Sequence, residues 1–509
     1  MSVADQGAPA PNRAAITVCI MMATVMNAID ATIANVALPH IQGSVSASAD
    51  QITWVLTSYI IASAIGTPLT GWISGRIGVK RLYMIAVAGF TVASMLCGLA
   101  TSLPEVVGFR LLQGLFGAPL IPLAQAMLLD INPPENHARA MSLWGSTTLI
   151  GPIMGPTLGG WLTDNLSWRW CFYINAPIGI LALVGIWMFV AADKPKGRAP
   201  LDFLGYGALA LFAGSLQLML DRGQGQDWFN SREIWIEAII AGTALWVFLV
   251  QMATSRRPFV NPILFRDANF VTACGLIFFI NSLTMAVMSL APPMLQGLMG
   301  YSVMQSGEAM APRGVGSLIA MTIVGRLIGR VDIRLILLIG LGIAAYALWQ
   351  MSMFDLSMDG RPVMLTGFVL GVGSGMLAVP AAALAFATLP AQFRPEGSSL
   401  FALLRSLGAS IGISVLQVSA IRNAQVMHAS LASGIDASNP VVGAALGDSA
   451  AAHTGLLAQL DSEIGRQAMM VAYVDDYKLM FIITLCCMPL LLLLRKPRGK
   501  GEPIHVDVE

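Results

Sequence analysis

The chain has 509 residues, of which 56% are apolar and only 11% charged, with a mean hydropathy of +0.71. Soluble domains carry about 25% charged residues, so a water-soluble globular protein is excluded. A net charge of +1 excludes an overall nucleic-acid footprint, and the six cysteines lie in apolar runs without metal-ligand spacing.

The apolar residues form runs of about 20, each long enough to cross a bilayer as a helix. Residues 1–12 are polar and proline-containing, with no basic region or evident cleavage site, and 1–13 is the expected N-terminal tail. They read as a cytoplasmic tail ahead of a retained membrane helix, not as a signal peptide. Six helices are predicted near 14–38, 51–73, 81–102, 104–128, 139–164 and 170–192, making an N-terminal bundle over 14–192. The linker region 193–267 holds two more, near 203–221 and 233–253. The C-terminal bundle over 268–494 takes helices near 268–297, 303–328, 332–354, 362–388, 396–424 and 473–494, followed by a cytoplasmic tail at 495–509. The expected fold class is therefore an all-α integral membrane protein with 14 transmembrane helices arranged 6 + 2 + 6.

Positive charge supports one orientation. Arg76, Lys80, Arg81, Lys194, Lys196, Arg198, Arg256, Arg257, Arg330, Arg334 and Lys496 all fall in segments that an N-inside arrangement places in the cytoplasm, with both termini. The run Gly71–Arg76 after the second helix is echoed by Gly325–Arg330 after the tenth, as expected of two parallel halves. Residues 425–472, rich in alanine, glycine, serine and acids, are too polar to span and too long for a turn. They are expected to fold on the outer surface or to bind a partner there.

Taken in chain order, the polar residues inside these helices are the candidates for function. Asp30 lies mid-helix, where an ionisable side chain is costly and is a functional-site hypothesis by default. Proton uptake is the expected role, and a structural polar pair the alternative. Asn27 shares its face and can reach the carboxyl, whereas Asn35 is rotated away. Gly71, Arg76, Gly78, Lys80 and Arg81 join a glycine turn to a basic cluster after the second helix. Arg110 and Gln113 share a face of the fourth helix, and Arg110 is the expected counter-charge for Asp30. A salt bridge that breaks on protonation would drive a switch, while a fixed ion pair would not.

On the fifth helix, Gly151, Gly155 and Gly159 are four apart and leave a bare face where another backbone can approach. Pro152 and Pro156 remove backbone donors beside it and invite a bend, and Gly160 ends the run. Glu308 and Arg313 open the tenth helix, either as a second titratable site or as side chains snorkelling to the outer interface. On the thirteenth, Arg405 is expected roughly 13 Å from the cytoplasmic end at about 1.5 Å per residue. Ser406, Ser410, Ser414 and Gln417 line the same helix, chiefly as packing groups and secondarily as a cavity lining. Gly408–Gly412 fits G-x-S-x-G, but inside an apolar helix it lacks the strand-to-helix elbow a hydrolase needs. Neither a Walker A lysine loop nor H-E-x-x-H is present, so a transporter is expected and an enzyme is not.

At these residues the chain resembles the fourteen-helix drug:proton antiporters of the major facilitator superfamily over nearly its whole length. Asp30–Pro39 is similar to that family's first-helix motif, Arg110–Gly114 to its fourth-helix motif, and Gly151–Gly160 to its antiporter motif. Trp168–Gly179 is similar to the entry into its sixth helix. Ser215–Gly223 with Asp227-Trp228-Phe229, together with Pro119–Leu123, resembles the EmrB-like branch. The resemblance implies a major facilitator fold, a proton gradient and no cofactor. It also implies a Gram-negative inner membrane and a tripartite pump with an EmrA-like periplasmic adaptor and a TolC-like outer-membrane channel. The chain departs from the pattern at Gly75 and Gly329, where relatives carry an acid. A latch made by Arg76, Lys80 and Arg81 then needs another partner, for which Asp130 is the candidate.

The expectation is proton-coupled export of hydrophobic or amphipathic compounds. Protonation of Asp30 would release Arg110, with Glu308 as a further coupling residue. Asn27, Asn35, Gln113 and Gln417, among methionines that suit an adaptable cavity, would receive substrate. Residues 425–472 would dock the adaptor. A nutrient importer or uniporter on the same fold is the first alternative, and the glycine-proline fifth helix argues against it. A non-transporting receptor or scaffold is the second, disfavoured by the buried charges of Asp30 and Arg110.

Overall fold

The computed structural model describes residues 12–133, 136–191, 193, 200–328, 330–390, 393–433 and 450–494. The N-terminal tail to residue 11, Lys194, Lys196 and Arg198, Gly329, residues 434–449 and the C-terminal tail lie outside the described residues, as do the side chains of Pro152 and Pro156.

The described chain is helical. In the N-terminal half, α1 is Arg13–Val45, α2 Trp54–Ile77 and α3 Val79–Leu99. α4 runs as Leu103–Gly117 and Leu120–Ile131, α5 as His137–Thr148 and Ile150–Asn165, and α6 as Trp170–Tyr173 and Asn175–Phe189. The linker supplies α7, Phe203–Arg222, and α8, Arg232–Thr254. In the C-terminal half, α9 is Ala268–Pro293, continued by a π turn at Met294–Leu298. α10 is Val303–Leu327, α11 Ile333–Met351, α12 Gly360–Ala387, α13 Arg394–Ala432 and α14 Ala450–Cys487, continued by a 3₁₀ turn at Met488–Leu493.

Apolar runs fold this way because a helix is the one local structure that pairs every backbone group within a lipid-crossing segment. Where the rods break, proline explains it. α4 is interrupted at Ala118 and Pro119, and α5 at Leu149, where the ring nitrogen of Pro152 cannot donate back along the helix. Starts are marked by caps: Asp202 accepts from the Gly205 amide at α7, and Ser302 forms a capping box with Gln305 at α10.

Among the described residues, ten helices are long and apolar enough to cross a membrane. α2, α5, α10 and α14 are not among them. Three of these four form the seam between the halves: α2 packs on α13, and α5 on α10. A helix facing other helices on most sides tolerates glycine, serine and threonine that a lipid-facing one does not, which lowers its hydropathy. The α7–α8 hairpin packs against α2 through α7, which also reaches α13.

The segment expected to fold on the outer surface, 425–472, is helical where it is described. α13 runs on to Ala432, and α14 already begins at Ala450. Residues 425–433 and 450–472 are thus extensions of two helices, joined sideways where the His428 ring nitrogen meets Asp461 Oδ1 at 3.1 Å. Alanine, leucine and glutamine in these stretches are strong helix formers even outside lipid.

Candidate functional site: a buried carboxyl on the first helix

Asp30 lies near the middle of α1, roughly 22–25 Å from either end at about 1.5 Å per residue, and is 0% exposed. Arg110 on α4, 1% exposed, donates from Nη1 to Asp30 Oδ2 at 2.7 Å. Gln113 Nε2 donates to Oδ1 at 2.8 Å, and so does Asn175 Nδ2 from the start of the second segment of α6, also at 2.8 Å. The carboxylate thus has three donors and no contact with solvent.

The partners are held in turn. Arg110 Nε donates to the Val55 carbonyl on α2 at 3.1 Å, and its Nη1 also reaches Gln113 Oε1 at 2.7 Å. Its guanidinium lies 4.3 Å from the centroid of the Tyr59 ring and 5.8 Å from that of Phe172. Asn175 also donates to Ser94 Oγ on α3, and Ser94 donates to the Phe172 carbonyl. One carboxylate therefore ties together α1, α4 and α6 directly, and α2 and α3 at one remove. A buried ion pair is net stabilising only with such geometry, and losing one partner strands the other charge at about 3–5 kcal/mol.

The glycine helix positions this centre. A Cβ on Gly151 would run into the Ala28 carbonyl oxygen, and one on Gly155 into Thr32 Oγ1. On Gly159 it would lie 2.8 Å from Ile33 Cγ1, whereas on Gly160 it would meet open space. Thr32 Oγ1 also donates to the Gly151 carbonyl at 2.9 Å. Ala28 and Thr32 flank Asp30, so the bare glycine face of α5 presses on α1 on both sides of the acid.

The two halves meet at one end of the bundle. Asp130 at the end of α4 pairs with Arg394 at the start of α13, 2.9 Å apart. A Cβ on Gly71 of α2 would sit 2.9 Å from the Glu396 Cα of α13. Ser142 of α5 donates to the Met321 carbonyl of α10. At the other end α7 stitches the halves together, with Thr57 of α2 donating to Asp221 and Ser410 of α13 donating to Gln217 at 2.8 Å.

A sequence profile described as the Major Facilitator Superfamily matches residues 20–413. The Haemophilus influenzae protein named "Multidrug export protein EmrB" is 36% identical over 428 residues, covering 84% of each chain. The chain belongs to the major facilitator superfamily, in its EmrB-like group. The Neisseria gonorrhoeae "Fatty acid resistance protein FarB" is 35% identical over 426 residues, 82% of this chain and 83% of its own. Among solved structures, the human organic anion transporter MFSD10 superposes with a TM-score of 0.60 at 15% identity, over 93% of this chain and 100% of its own. That last likeness concerns the fold alone. As a major facilitator protein the chain is a multi-pass membrane transporter and not an enzyme.

Within this major facilitator scaffold, several expected residues take other positions. Asn27 does not reach Asp30; its Nδ2 donates to the Tyr59 hydroxyl at 3.1 Å. Gln113 is consumed by Asp30 and Arg110, so it is not open to substrate in this conformation. Asn35 is exposed and Gln417 half-buried. Glu308 is exposed in the second turn of α10, while Arg313 is buried and donates to the Thr284 carbonyl of α9 at 2.9 Å. The two do not form one site, and Arg313 does not snorkel. Asp130 serves Arg394, not the Arg76 cluster. The acid for that loop is Asp193, whose carboxylate accepts from the Val79 and Lys80 amides, while Lys80 Nζ donates to the Trp187 and Val190 carbonyls. Gly78, at φ +94°, supplies the left-handed turn this contact needs. Arg76 lies 5.2 Å from the Trp72 ring centroid, and Arg81 is exposed.

Sequence reasoning missed Asn175, Tyr59 and Ser94 as members of the centre. Asn175 carried a visible signal, a lone amide in the apolar Trp168–Gly179 run, but only the packing of α6 against α1 and α3 gives it a partner.

Proposed function

We propose that this protein is a proton-coupled antiporter that exports hydrophobic or amphipathic compounds across a bacterial inner membrane by alternating access. The observation that carries this reading is the fully buried Asp30–Arg110 pair, three-fold hydrogen-bonded and clamped by Gly151 and Gly155. When Asp30 takes a proton, it loses its charge and part of its acceptor capacity while Arg110 keeps its own charge. A buried guanidinium without its carboxylate is strongly unfavourable, so Arg110 must find new acceptors and α4 must shift against α1. Asn175, Gln113 and the Val55 carbonyl transmit that shift to α6 and α2. A proton is thereby exchanged for a different packing of the N-terminal half, which is what a two-state transporter needs.

With 14 crossings and both termini in the cytoplasm, the end closed by Asp130–Arg394 and Gly71–Glu396 is the cytoplasmic one. The structure then corresponds to a state closed toward the cytoplasm. The Gly71, Arg76, Gly78, Lys80 and Arg81 loop acts at that end as a hinge braced by Asp193. Everted vesicles test the assignment: Asp30→Asn abolishes substrate accumulation driven by an imposed proton gradient, at unchanged expression. Normal pumping by this variant, or substrate movement in the opposite sense, sinks it.

Arg405 bears on the substrate. It lies on α13 with its guanidinium 5.6 Å from the Trp144 ring centroid of α5, and no acidic group pairs with it among the described residues. Trp144 Nε1, buried beside it, has no acceptor either. Two neighbouring donors without an acceptor favour substrates with an acidic head. The name of the FarB relative places fatty acids in the panel to be tried. The helical extensions of α13 and α14 are the proposed docking element for an EmrA-like adaptor that continues to a TolC-like channel. Removing residues 428–461 abolishes adaptor co-purification and leaves vesicle transport measurable; retained co-purification counts against this docking site.

A further inference from the structure

We propose that Asp476, on α14 in the C-terminal half, is a second proton-exchanging carboxyl, reached from the outer surface through Ser419 and Asn423 of α13. Its use in transport rests on the antiport reading above; its protonation and exchange do not.

The sequence places two acids together, Val474-Asp475-Asp476-Tyr477-Lys478. On a helix they point about 100° apart, and their fates differ. Asp475 pairs with Lys478 Nζ at 3.1 Å and is 39% exposed. Asp476 is 0% exposed, and neither of its carboxylate oxygens has a hydrogen-bond partner. This is the reverse of Asp30, which has the same burial and three donors. A carboxylate with no counter-charge is costly in a membrane-protein interior, and Ser419 is the one side chain placed to donate to it among the described residues, so burial favours the neutral acid here.

The groups around it allow exchange. Tyr473 lies about one turn before it on α14 and Tyr477 directly after it, with Asp475 adjacent, and Ser419 faces it from α13. Asn423 Nδ2 donates to Ser419 Oγ at 3.3 Å, which leaves the Ser419 hydroxyl proton uncommitted and free to point at the carboxyl. Asn423 is half-buried, and about one and a half turns beyond it α13 reaches the His428–Asp461 contact that bridges to α14. Polar side chains are therefore spaced along α13 from Ser419, beside Asp476, through Asn423 toward the His428–Asp461 contact. Arg313 is near enough to Tyr477 to interact with it electrostatically. It donates to a backbone carbonyl and is not ion-paired with Asp476 among the described residues. It is the counter-charge available if Asp476 ionises and α10 and α14 move together. In balance, one O–H bond at Asp476 forms with a proton from outer water and breaks to return it; nothing is oxidised or reduced.

The test is infrared difference spectroscopy on the purified full-length protein in lipid, which needs no substrate. Wild type and Asp30→Asn should both show a protonated-carboxyl carbonyl band at neutral pH. That band shifts in deuterated water, loses intensity as pH rises, and is absent in Asp476→Asn. Ser419→Ala should keep the band and slow its deuterium shift several-fold, which separates the exchange route from a folding defect. A band unchanged by Asp476→Asn, or one lost in that variant yet insensitive to both pH and deuterium, overturns the proposal. In vesicles, Asp476→Asn should still pump but move fewer protons per substrate. An unchanged ratio overturns the role in transport, and a wild type that moves nothing overturns the antiport reading while the infrared result stands.

Discussion

The two halves of the molecule use the same packing device for different electrostatics. In the N-terminal half, Gly151 and Gly155 of α5 press on Ala28 and Thr32 of α1. In the C-terminal half, Gly408 and Gly412 of α13 press in the same way on Phe278 and Ser282 of α9. The residue between the contacted positions is Asp30 in the first case and Ile280, 3% exposed, in the second. The N-terminal half thus clamps a carboxylate that is fully paired, while its counterpart clamps an apolar side chain. The ionisable side chains within the C-terminal half lie elsewhere and are incompletely partnered: buried Arg313 on a carbonyl, half-buried Arg405 beside a ring, and buried Asp476 with no counter-charge. Close backbone packing is therefore the shared scaffold, and titratable chemistry is an addition to it.

The largest effects should come from breaking the paired half. Arg110→Ala leaves Asp30 buried without its cation and should destabilise the protein by about 3–5 kcal/mol. Thermal unfolding in detergent or lipid checks this, and Asp30→Asn/Arg110→Gln together should recover part of the loss. Equal stability of the single variants and the wild type would mean that the pair is not closed as described.

The glycine contacts come next. Gly151→Ala and Gly408→Ala both force a methyl group into backbone and should each cost about 1–3 kcal/mol. Gly160→Ala, which meets open space, should stay within about 0.5 kcal/mol of wild type. The comparison predicts different consequences for function. Gly151→Ala displaces Asp30 and should weaken the response to a proton gradient, whereas Gly408→Ala displaces Ile280 and should lower yield but not coupling. Equal loss of coupling in both would break the distinction between the halves.

How much of this was legible beforehand depends on what each residue needs. The helices follow from apolar runs, and Asp30 stands out because an acid is rare and costly at mid-helix. Arg110 and Gln113 share a face at i, i+3, so their convergence on Asp30 needed only α4 to meet α1. The Gly151–Gly159 spacing announced a close contact but not its partner, and that partner turns out to flank Asp30. Asn27 misled, because a shared face permits contact with Asp30 while Tyr59 from another helix offers a better-placed acceptor. Asp476 could not be singled out, since Asp475 beside it has the same chemistry and only the packing of α13 and α14 separates buried from exposed. Residues 425–433 and 450–472 read as too polar to span, and their alanine content sustains helix there.

A smaller effect is expected where the halves touch. Asp130–Arg394 is partly exposed, at 48% and 17%, so the pair should contribute no more than about 1 kcal/mol. Arg394→Glu should shift the balance between the closed and open states of that end by at most about fivefold, since about 1.4 kcal/mol is a tenfold change. A cysteine introduced at Gly75, where a side chain meets open space, reports the opening by its labelling rate. The exchange Asp130→Arg with Arg394→Asp should return the rate toward wild type. Failure of the exchange to do so would indicate that Gly71 against Glu396, not the ion pair, closes this end.

The smallest expected effect is one of selectivity. Arg405 already tolerates having no acidic partner, so Arg405→Gln removes a desolvated charge as well as a donor and should be neutral or slightly stabilising. Its cost should appear only with substrates that bring an acidic group. Such a carboxylate would accept from the guanidinium, and a charge-assisted hydrogen bond of this kind contributes about 1.5–3 kcal/mol. Arg405→Gln should therefore raise the half-saturating concentration of a fatty acid about tenfold or more and leave that of a neutral amphiphile within about twofold, by the same 1.4 kcal/mol per decade. Arg405→Lys should fall between, because an ammonium keeps the charge but loses the planar donor fork. If acidic and neutral compounds respond alike, Arg405 is a packing residue beside Trp144.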